Sequence, residues 1–427
     1  MEPLGPAVPS CYLTPDLPGV GGVIKQRCED FVVEELPLYE PSGMGEHLYI
    51  WLEKTGQPTL EVVRALARCF RVRPGHIGYA GMKDKHAVTR QYLSIAAPDE
   101  SPLDDLTLPG VRILGVSRHR NKLRLGHLKG NRFTIRIREC CVEQAVRPAE
   151  AVLSRLVETG LPNFIGAQRF GLSANNHEVG RALLMEDWQE LCDILLGRAD
   201  GGFASEYDAR HTYDEGDLEQ ARACWPTSRR AEHQVLRKLS SGCSHEEAVL
   251  AIEPTVRRFY VSAFQSAIFN QVLEHRMNAK TMHTLVSGDL AWKHNPPGAG
   301  AVFHVSPDDL NDPQLTERLT KLDISPSGPL WGHRMMQATE EPGRIEQEAL
   351  DRTGVEFDHF LSAAHDVYGT RRPLRVQVSE ASLSEGADRD GSYLQADFVL
   401  PKGSFATTLL QEVMKGAQDH AGNLTAE

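Results

Sequence analysis

Asp84 has the residue type and the surroundings of a nucleophile. It lies between Lys83 and Lys85, and it is the only acidic residue from Arg71 to Ile95. An aspartate attacks carbon only as the carboxylate, and ammonium groups nearby favour that ionised form. The same cations would attract a polyanion before it met the single negative charge. The segment therefore predicts an aspartate nucleophile that acts on a nucleic acid; the alternative is a solvated turn of ordinary surface charge.

The strongest basic patch runs from residue 118 to residue 138 and contains no acidic residue. Its end, from Arg132 to Arg138, alternates basic and apolar residues, which predicts a strand with Phe133 on one face and the arginines on the other. Such a face binds nucleic-acid phosphates or is simply solvated. The residues that we expect to contact RNA are Arg118, Arg120, Lys122, Arg124 and Arg136.

Length and charge limit how these features work. A chain of 427 residues exceeds what one core usually supports, which predicts two domains. Apolar residues at 41% and charged residues at 24% are typical of a soluble globular protein. The formal net charge of -12 argues against indiscriminate binding of nucleic acid, so any RNA site must be a local patch.

Cysteine spacing and apolar runs exclude other classes. None of the 8 cysteines forms a Cys-x-x-Cys pair, which predicts reduced thiols in a cytosol and no zinc site. Residues 1–15 lack the basic start of a signal peptide, and no apolar run approaches the roughly 18 residues of a membrane helix. We therefore expect a cytoplasmic protein with no membrane partner, no cofactor and no metal, and the sequence implies no protein partner.

Hydrophobic periodicity predicts the elements that position these residues. Strands are expected over residues 47–53, 91–95, 371–376 and 393–400. Helices are expected over residues 148–159, 178–195, 218–225, 228–239, 245–252 and 255–277. Thr59 and Ser404 are candidate N-caps of two further helices. The acid-rich residues 340–358 are most simply a solvated helical face or a hinge.

The wording around Asp84 resembles the signature of the TruD family of tRNA pseudouridine synthases, Gly-x-x-Gly-x-Lys-Asp-Lys-x-Ala-x-Thr. Other segments are similar to further elements of that family, in the same order along nearly the whole chain. These segments are Glu29–Glu35, Gly126–Phe133, Asn163–Gly171, Phe259–Asn270, Gly288–Asp289, Gly328–Gly332 and Pro401–Thr407. One departure lies in the third of them, where Phe164 and Ile165 replace the usual Tyr-Phe.

The resemblance implies roles for individual residues. Asp84 would be the catalytic nucleophile, and Lys25 would be the lysine beside it. The implied substrate-binding residues are Phe31, Asn131, Phe133 and Phe405. Phe133 would stack on the target base, a contact worth about 1 to 3 kcal/mol. By their local patterns alone, the three phenylalanines are packing residues.

The resemblance also implies an α+β fold. A pseudouridine synthase domain with a mixed or antiparallel sheet would be built from both chain ends, residues 1–160 and 371–427. A mostly helical TRUD domain, residues 161–370, would be inserted between them. The implied reaction is isomerisation of a tRNA uridine, with position 13 the usual target, by attack of the aspartate on ribose C1′ or on C6 of the base.

Two other classes of function share some of these features. A non-catalytic RNA-binding or RNA-folding protein would use the same basic patch but leave no pseudouridine. A hydrolase with an aspartate nucleophile would act on a small molecule and be insensitive to RNA. Neither alternative requires the ordered set of motifs.

Overall fold

The computed structural model describes residues 4, 7, 11–96, 100–199, 204–294, 302–361 and 367–415. The strands are β1 (Phe31–Pro37), β2 (His47–Thr55), β3 (Gly78–Tyr79), β4 (Val88–Ala96), β5 (Val111–His119), β6 (Leu128–Ile137), β7 (Leu161–Pro162), β8 (Leu290–Lys293), β9 (Val302–His304), β10 (Ile324–Leu330), β11 (Thr370–Pro373), β12 (Arg375–Val376), β13 (Ser379–Asp388) and β14 (Gly391–Pro401). The helices are α1 (Thr59–Cys69), α2 (Val142–Thr159), α3 (Asn176–Leu184), α4 (Trp188–Leu196), α5 (Tyr207–Asp214), α6 (Leu218–Cys224), α7 (Arg230–Ser240), α8 (His245–Leu250), α9 (Pro254–Asn278), α10 (Pro313–Thr320), α11 (Glu340–Asp351) and α12 (Ala406–Met414).

The chain forms two compact units. The sheet unit consists of the described residues of Tyr12–Leu161 and Val376–Thr425. The helical unit consists of those of Pro162–Arg375 together with Met1–Cys11. The helical unit thus interrupts the sheet unit in the sequence. Its first boundary lies after residue 161 and its second after residue 375, whereas the sequence analysis placed them after residues 160 and 370.

The sheet unit is built on one large sheet with the strand order β13-β14-β6-β1-β4-β2-β5, and β3 pairs with β4. β1 and β4 are parallel, and the other pairs are antiparallel. The last two strands come from the end of the chain and pair through β6 with the strands from its beginning. The expected α+β fold, with a mixed sheet made from both chain ends and a mostly helical insertion, is confirmed.

Helices cover one face of this sheet in two places. α2 and α12 pack over the inward apolar residues of β1, β6 and β14, including Phe31, Ile135 and Phe398. α1 packs over those of β2 and β4, including Ile50 and Leu93. The cross-strand register places both clusters on the same face of the sheet. Val33, which belongs to the first cluster, pairs with Thr89, and Thr89 pairs with Lys54, which lies on the same side of β2 as Ile50 of the second cluster. A strip of sheet therefore lies between two apolar clusters.

The helical unit has its own core. Buried residues of α3, α4 and α7 to α9 form its main apolar cluster, which includes Leu183, Leu195, Val235 and Phe264. The sequence analysis did not predict its small antiparallel sheet, in which the strand order is β11-β10-β8-β9. β10 contains two prolines and a glycine, so its composition does not indicate a strand. Among the described residues, no helix combines the length and apolar character that crossing a membrane requires.

Several predicted element ends were wrong, each for a local reason. The helix expected from Pro148 begins at Val142, because Val142, Ala145 and Ala149 share one buried face and outweigh the missing hydrogen bond at the internal proline. The helix expected over 178–195 is two helices, since Glu186 has a φ of 55° and Asp187 caps α4.

The two predicted N-caps were also wrong. Pro58 is the N-cap of α1, and the hydroxyl of Thr59 instead accepts a hydrogen bond from the Lys83 backbone N–H at 3.0 Å. Phe405 is the N-cap of α12, without a side-chain cap bond. Thr59 thus bonds to the segment that carries Asp84 and does not cap its own helix.

Candidate active site

Buried polar side chains fill the strip of sheet between the two apolar clusters. On β1 the inward residues Phe31 and Val33 are followed by Glu35, and on β6 the residue opposite Glu35 is Asn131. β4 contributes Thr89 and Gln91 to the same face, and β2 contributes Lys54; all three are fully buried. A buried polar strip inside an apolar layer is costly unless its groups are paired, so its contacts identify a candidate functional site.

Asp84 lies at this strip, in the loop between β3 and β4. Its carboxylate oxygen Oδ2 is 2.9 Å from Lys25 Nζ. The Lys25 side chain is 8% exposed and that of Asp84 is 35% exposed. Lys25 has a φ of 60°, a left-handed conformation that a lysine rarely adopts. The structure thus brings the two predicted catalytic residues together, with the carboxylate open to solvent and the ammonium largely enclosed.

The three aromatic residues predicted to bind substrate differ in exposure. The Phe31 ring lies below the Lys25 ammonium, 4.2 Å from Nζ to its centroid, and meets Phe133 edge to face. Phe133 stacks on Phe398 with centroids 5.3 Å apart. Phe31 and Phe133 are both buried, whereas Phe405 is half-buried at the start of α12. Two of the rings therefore make the packing contacts that their local patterns predict.

Asn131 is held at the edge of the strip by a close strand approach. A side chain at Gly130 would collide with the carbonyl oxygen of Leu400, so only glycine allows β6 and β14 to meet here. Asn131 Oδ1 is enclosed and has no hydrogen-bond partner among the described residues, and the same holds for Ser404 Oγ. An enclosed polar atom without a partner is a feature that a bound polar ligand would satisfy.

Sequence reasoning missed the ion pair between Glu35 and Lys83. Lys83 Nζ is 2.8 Å from Glu35 Oε2. The Lys83 side chain is 5% exposed and that of Glu35 is 1% exposed. Lys83 therefore does not contribute its charge mainly to the neighbouring Asp84. The only signal was the position of Glu35 on the inward side of a strand alternation, after Phe31 and Val33.

Lys54 was also missed. Its side chain is fully buried, and Nζ donates hydrogen bonds to the carbonyl oxygens of Gln57 at 2.6 Å, Lys83 at 3.2 Å and Asp84 at 2.8 Å. These bonds fix the backbone on which the carboxylate stands. The signal was again alternation, since Lys54 follows Leu48, Ile50 and Leu52 at inward positions of β2.

The structure separates the predicted RNA-binding residues. By strand alternation Arg136 points to the sheet face opposite Asn131 and Phe133, and its Nη1 is 3.4 Å from Asp388 Oδ2. Arg132 and Arg138 pair with carboxylates on neighbouring segments, and a hydrogen bond from Arg138 lowers the pKa of Asp388. The strand arginines are thus balanced by negative charge and are not brought to the site.

The loop cations lie nearer to the site. Arg124 begins a turn in which the His127 N–H donates to the Arg124 carbonyl, and the Gly126 N–H donates to the Ala80 carbonyl at 2.8 Å. Ala80 is four residues before Asp84, so this turn is attached to the segment that carries Asp84. Lys122 Nζ donates to the Gly75 carbonyl at 2.6 Å. Arg118 is opposite Leu48 and so lies on the same sheet face as the strip. Of the five predicted RNA contacts, Arg118, Arg120, Lys122 and Arg124 remain predictions.

Comparison with known proteins agrees with this architecture. The model of the family described as tRNA pseudouridine synthase D (TruD) matches residues 8–413. A tRNA pseudouridine synthase D of Geobacter metallireducens is 44% identical over 411 residues, which cover 95% of this chain and 98% of the relative. One of Thermus thermophilus is 39% identical over 411 residues, with 96% and 93% covered.

A solved structure has the same fold. The crystal structure of a putative tRNA pseudouridine synthase D from Methanosarcina mazei superposes with a TM-score of 0.79 at 28% identity, covering 96% of each chain. The mixed sheet interrupted by a helical unit is therefore the architecture of a pseudouridine synthase. The chain belongs to the tRNA pseudouridine synthase D (TruD) family.

Proposed function

We propose that this protein is a cytoplasmic enzyme that isomerises a uridine of tRNA to pseudouridine, with position 13 as the target and Asp84 as the nucleophile. The observation that carries the proposal is the contact between Lys25 and Asp84. An enclosed ammonium 2.9 Å from a carboxylate favours its ionised form, while the exposed part of that carboxylate stays accessible to a substrate.

The proposed reaction needs no redox partner. The N-glycosidic bond from uracil N1 to ribose C1′ breaks, and a bond from C5 to C1′ forms. The proton on C5 is lost, and N1 gains one, so atoms and electrons balance without a cofactor. The Asp84 carboxylate would add either to C1′, displacing uracil, or to C6 of the base. Its bond to the nucleotide would break again when C5 displaces it from C1′, or when it is eliminated from C6 as the C5 proton is lost.

The remaining residues of the site would hold an extruded uridine. Asn131 Oδ1, which has no partner among the described residues, would accept a hydrogen bond from uracil N3–H. Phe405 is the ring of the predicted set with the most free surface, and Phe31 and Phe133 would form the apolar floor beneath the base. Arg118, Arg120, Lys122 and Arg124 would bind phosphates of the RNA.

Substitution of Asp84 by asparagine tests this proposal. Asp84→Asn removes the charge and the nucleophile while keeping the shape, so tritium release from C5-labelled uridine in tRNA should fall by at least about 10³-fold. Affinity for tRNA should stay within about threefold. Asp104→Asn, at an exposed aspartate of the same unit, is the matched control and should retain full turnover.

Two results would contradict the proposal in different ways. Turnover retained by Asp84→Asn would remove Asp84 from the mechanism. A wild-type protein that binds tRNA tightly but releases no tritium would indicate the non-catalytic RNA-binding alternative. Mapping of pseudouridine in tRNA from cells with and without the protein would identify the position that is modified.

A further inference from the structure

The helical unit carries a surface cluster of arginines and partly exposed rings that the proposed chemistry does not use. We call it the α9 patch. Its members lie at the start of α9 and on the loops beside it: Arg169, Arg257, Arg258, Phe259, Arg334 and Tyr368. Acidic residues outnumber basic ones over residues 162–375, so a cluster of four arginines is unusual for this unit.

The patch surrounds a concave surface. Arg257, Arg258, Gln265 and Tyr368 line a cavity of about 400 Å³. None of the described residues that line it is acidic. A cavity of this volume accepts a group of the size of a nucleotide. The Gln265 amide donates to the Trp331 carbonyl and Arg257 Nε to the Ile252 carbonyl, so the donors left for a ligand are the other N–H groups of Arg257 and Arg258.

Two rings of the patch are open to solvent and each is paired with an arginine. Phe259 is 38% exposed, and the Arg169 guanidinium lies 5.1 Å from its centroid. Tyr368 is 48% exposed, and the Arg334 guanidinium lies 4.6 Å from its centroid. Aromatic rings with guanidinium groups beside them are the surface on which proteins stack unpaired bases.

Ordinary surface packing explains such pairs when the arginines also support the fold. Several arginines of this unit support the fold and are buried: Arg276 pairs with Asp289 at 2.8 Å, Arg371 pairs with Glu346 at 2.6 Å, and Arg375 donates to the Leu319 carbonyl. Among the described residues, none of the four patch arginines lies within ion-pair distance of a carboxylate. Arg258 and Arg334 are exposed, so their charges are available to an anion.

We propose that the α9 patch is a second RNA-binding surface, at which the helical unit binds phosphates of the tRNA substrate and stacks one of its unpaired bases. This inference rests on the proposed function and assigns part of substrate recognition to the insertion. RNA fits better than an acidic protein because the patch offers both cations for phosphates and exposed rings for bases. Binding there contributes to affinity and not to the chemical step.

The test is the double substitution Arg258→Ala with Tyr368→Ala in the full chain. Both side chains are exposed, so the melting temperature should match that of the wild type. The KM for tRNA should rise by about 10- to 100-fold while kcat stays within about threefold. The dependence of tRNA affinity on salt should also become less steep, by about one unit of slope for each phosphate that the variant no longer binds.

The matched control is Arg237→Ala with Tyr207→Ala, an exposed arginine and an exposed tyrosine elsewhere in the helical unit, which should leave KM within about twofold. If the wild type converts uridine but the patch variant has the KM and the salt dependence of the control, the patch does not bind RNA and the inference is wrong. If the wild type itself leaves no pseudouridine, the proposed function fails, and direct binding of tRNA to the patch variant still decides the inference.

Discussion

Lys83 and Asp84 are neighbours in the chain, yet their two ion pairs stand in different surroundings. Lys83 and Glu35 are both enclosed, at 5% and 1% exposure, whereas Asp84 keeps 35% of its side chain exposed beside Lys25. A closed pair has no surface left for a ligand and strongly resists loss of either partner. An open pair stabilises little but leaves an ionised oxygen accessible. We infer that the first pair holds the loop and the second performs the chemistry.

The largest effect should follow from breaking the closed pair. Glu35→Gln leaves the Lys83 ammonium buried without a counter-charge, so the free energy of unfolding should fall by about 3 to 5 kcal/mol. Asp84→Asn should lower it by less than about 1 kcal/mol, because that pair is partly solvated. Urea denaturation of both variants measures the difference.

Glu34→Gln is the matched control for the closed pair. Glu34 precedes Glu35 on β1 but faces the other side of the sheet, where it pairs with Arg90 at 2.9 Å and is 29% exposed. Its substitution should cost less than about 1 kcal/mol. Equal losses for the glutamine variants of Glu34 and Glu35 would refute the distinction between a closed and an open pair.

The next largest effect is expected at Lys54, which binds the backbone of the loop that carries Asp84. Lys54→Met keeps the length of the side chain but removes the ammonium that donates to three carbonyl oxygens, of which that of Lys83 keeps a contact with the Thr59 hydroxyl at 3.5 Å. The loss should cost about 2 to 3 kcal/mol of stability. Because one of these carbonyls belongs to Asp84 itself, kcat should fall by at least about tenfold while the KM for tRNA changes little.

Single-turnover tritium release and urea denaturation together measure this second prediction. Lys321→Met, at an exposed lysine of the helical unit, controls for the substitution type and should change neither quantity. A Lys54→Met protein that is less stable but turns over at the wild-type rate would show that Lys54 supports the fold only.

The smallest expected effect is a difference in tRNA affinity between substitutions of two arginines of the basic patch. Arg124→Ala removes an exposed cation from the turn attached to Ala80 and should weaken tRNA binding by about 3- to 10-fold, with a less steep salt dependence. Arg136→Ala should change binding by less than about twofold, because Asp388 already balances that charge on the other sheet face. Filter binding at several salt concentrations measures both, and a larger loss for Arg136 would place the RNA on that face.

Local sequence patterns were sufficient to predict many of the strands and helices and which of their faces are buried. Alternation over residues 132–138 predicted that Phe133, Ile135 and Ile137 share a buried face, and the long apolar stripe predicted α9 within one residue at each end. The contact between Lys25 and Asp84 was predicted from the resemblance to the family, since no periodicity relates residues that are 59 positions apart. Patterns were weaker where a strand lacks β-branched residues, as in β10, or where a single left-handed residue divides a helix, as at Glu186.

The sequence by itself determined the lone carboxylate among cations, the glycines that permit close approach and the alternation that turns Lys54 and Glu35 inward. Only the tertiary structure decided which charges meet. Glu35 reaches Lys83 across 48 residues of chain, and Arg136 reaches Asp388 across 252. Such contacts depend on strand order and register in three dimensions, because the energy of an ion pair is set by the distance and exposure of its partners and not by their spacing along the chain.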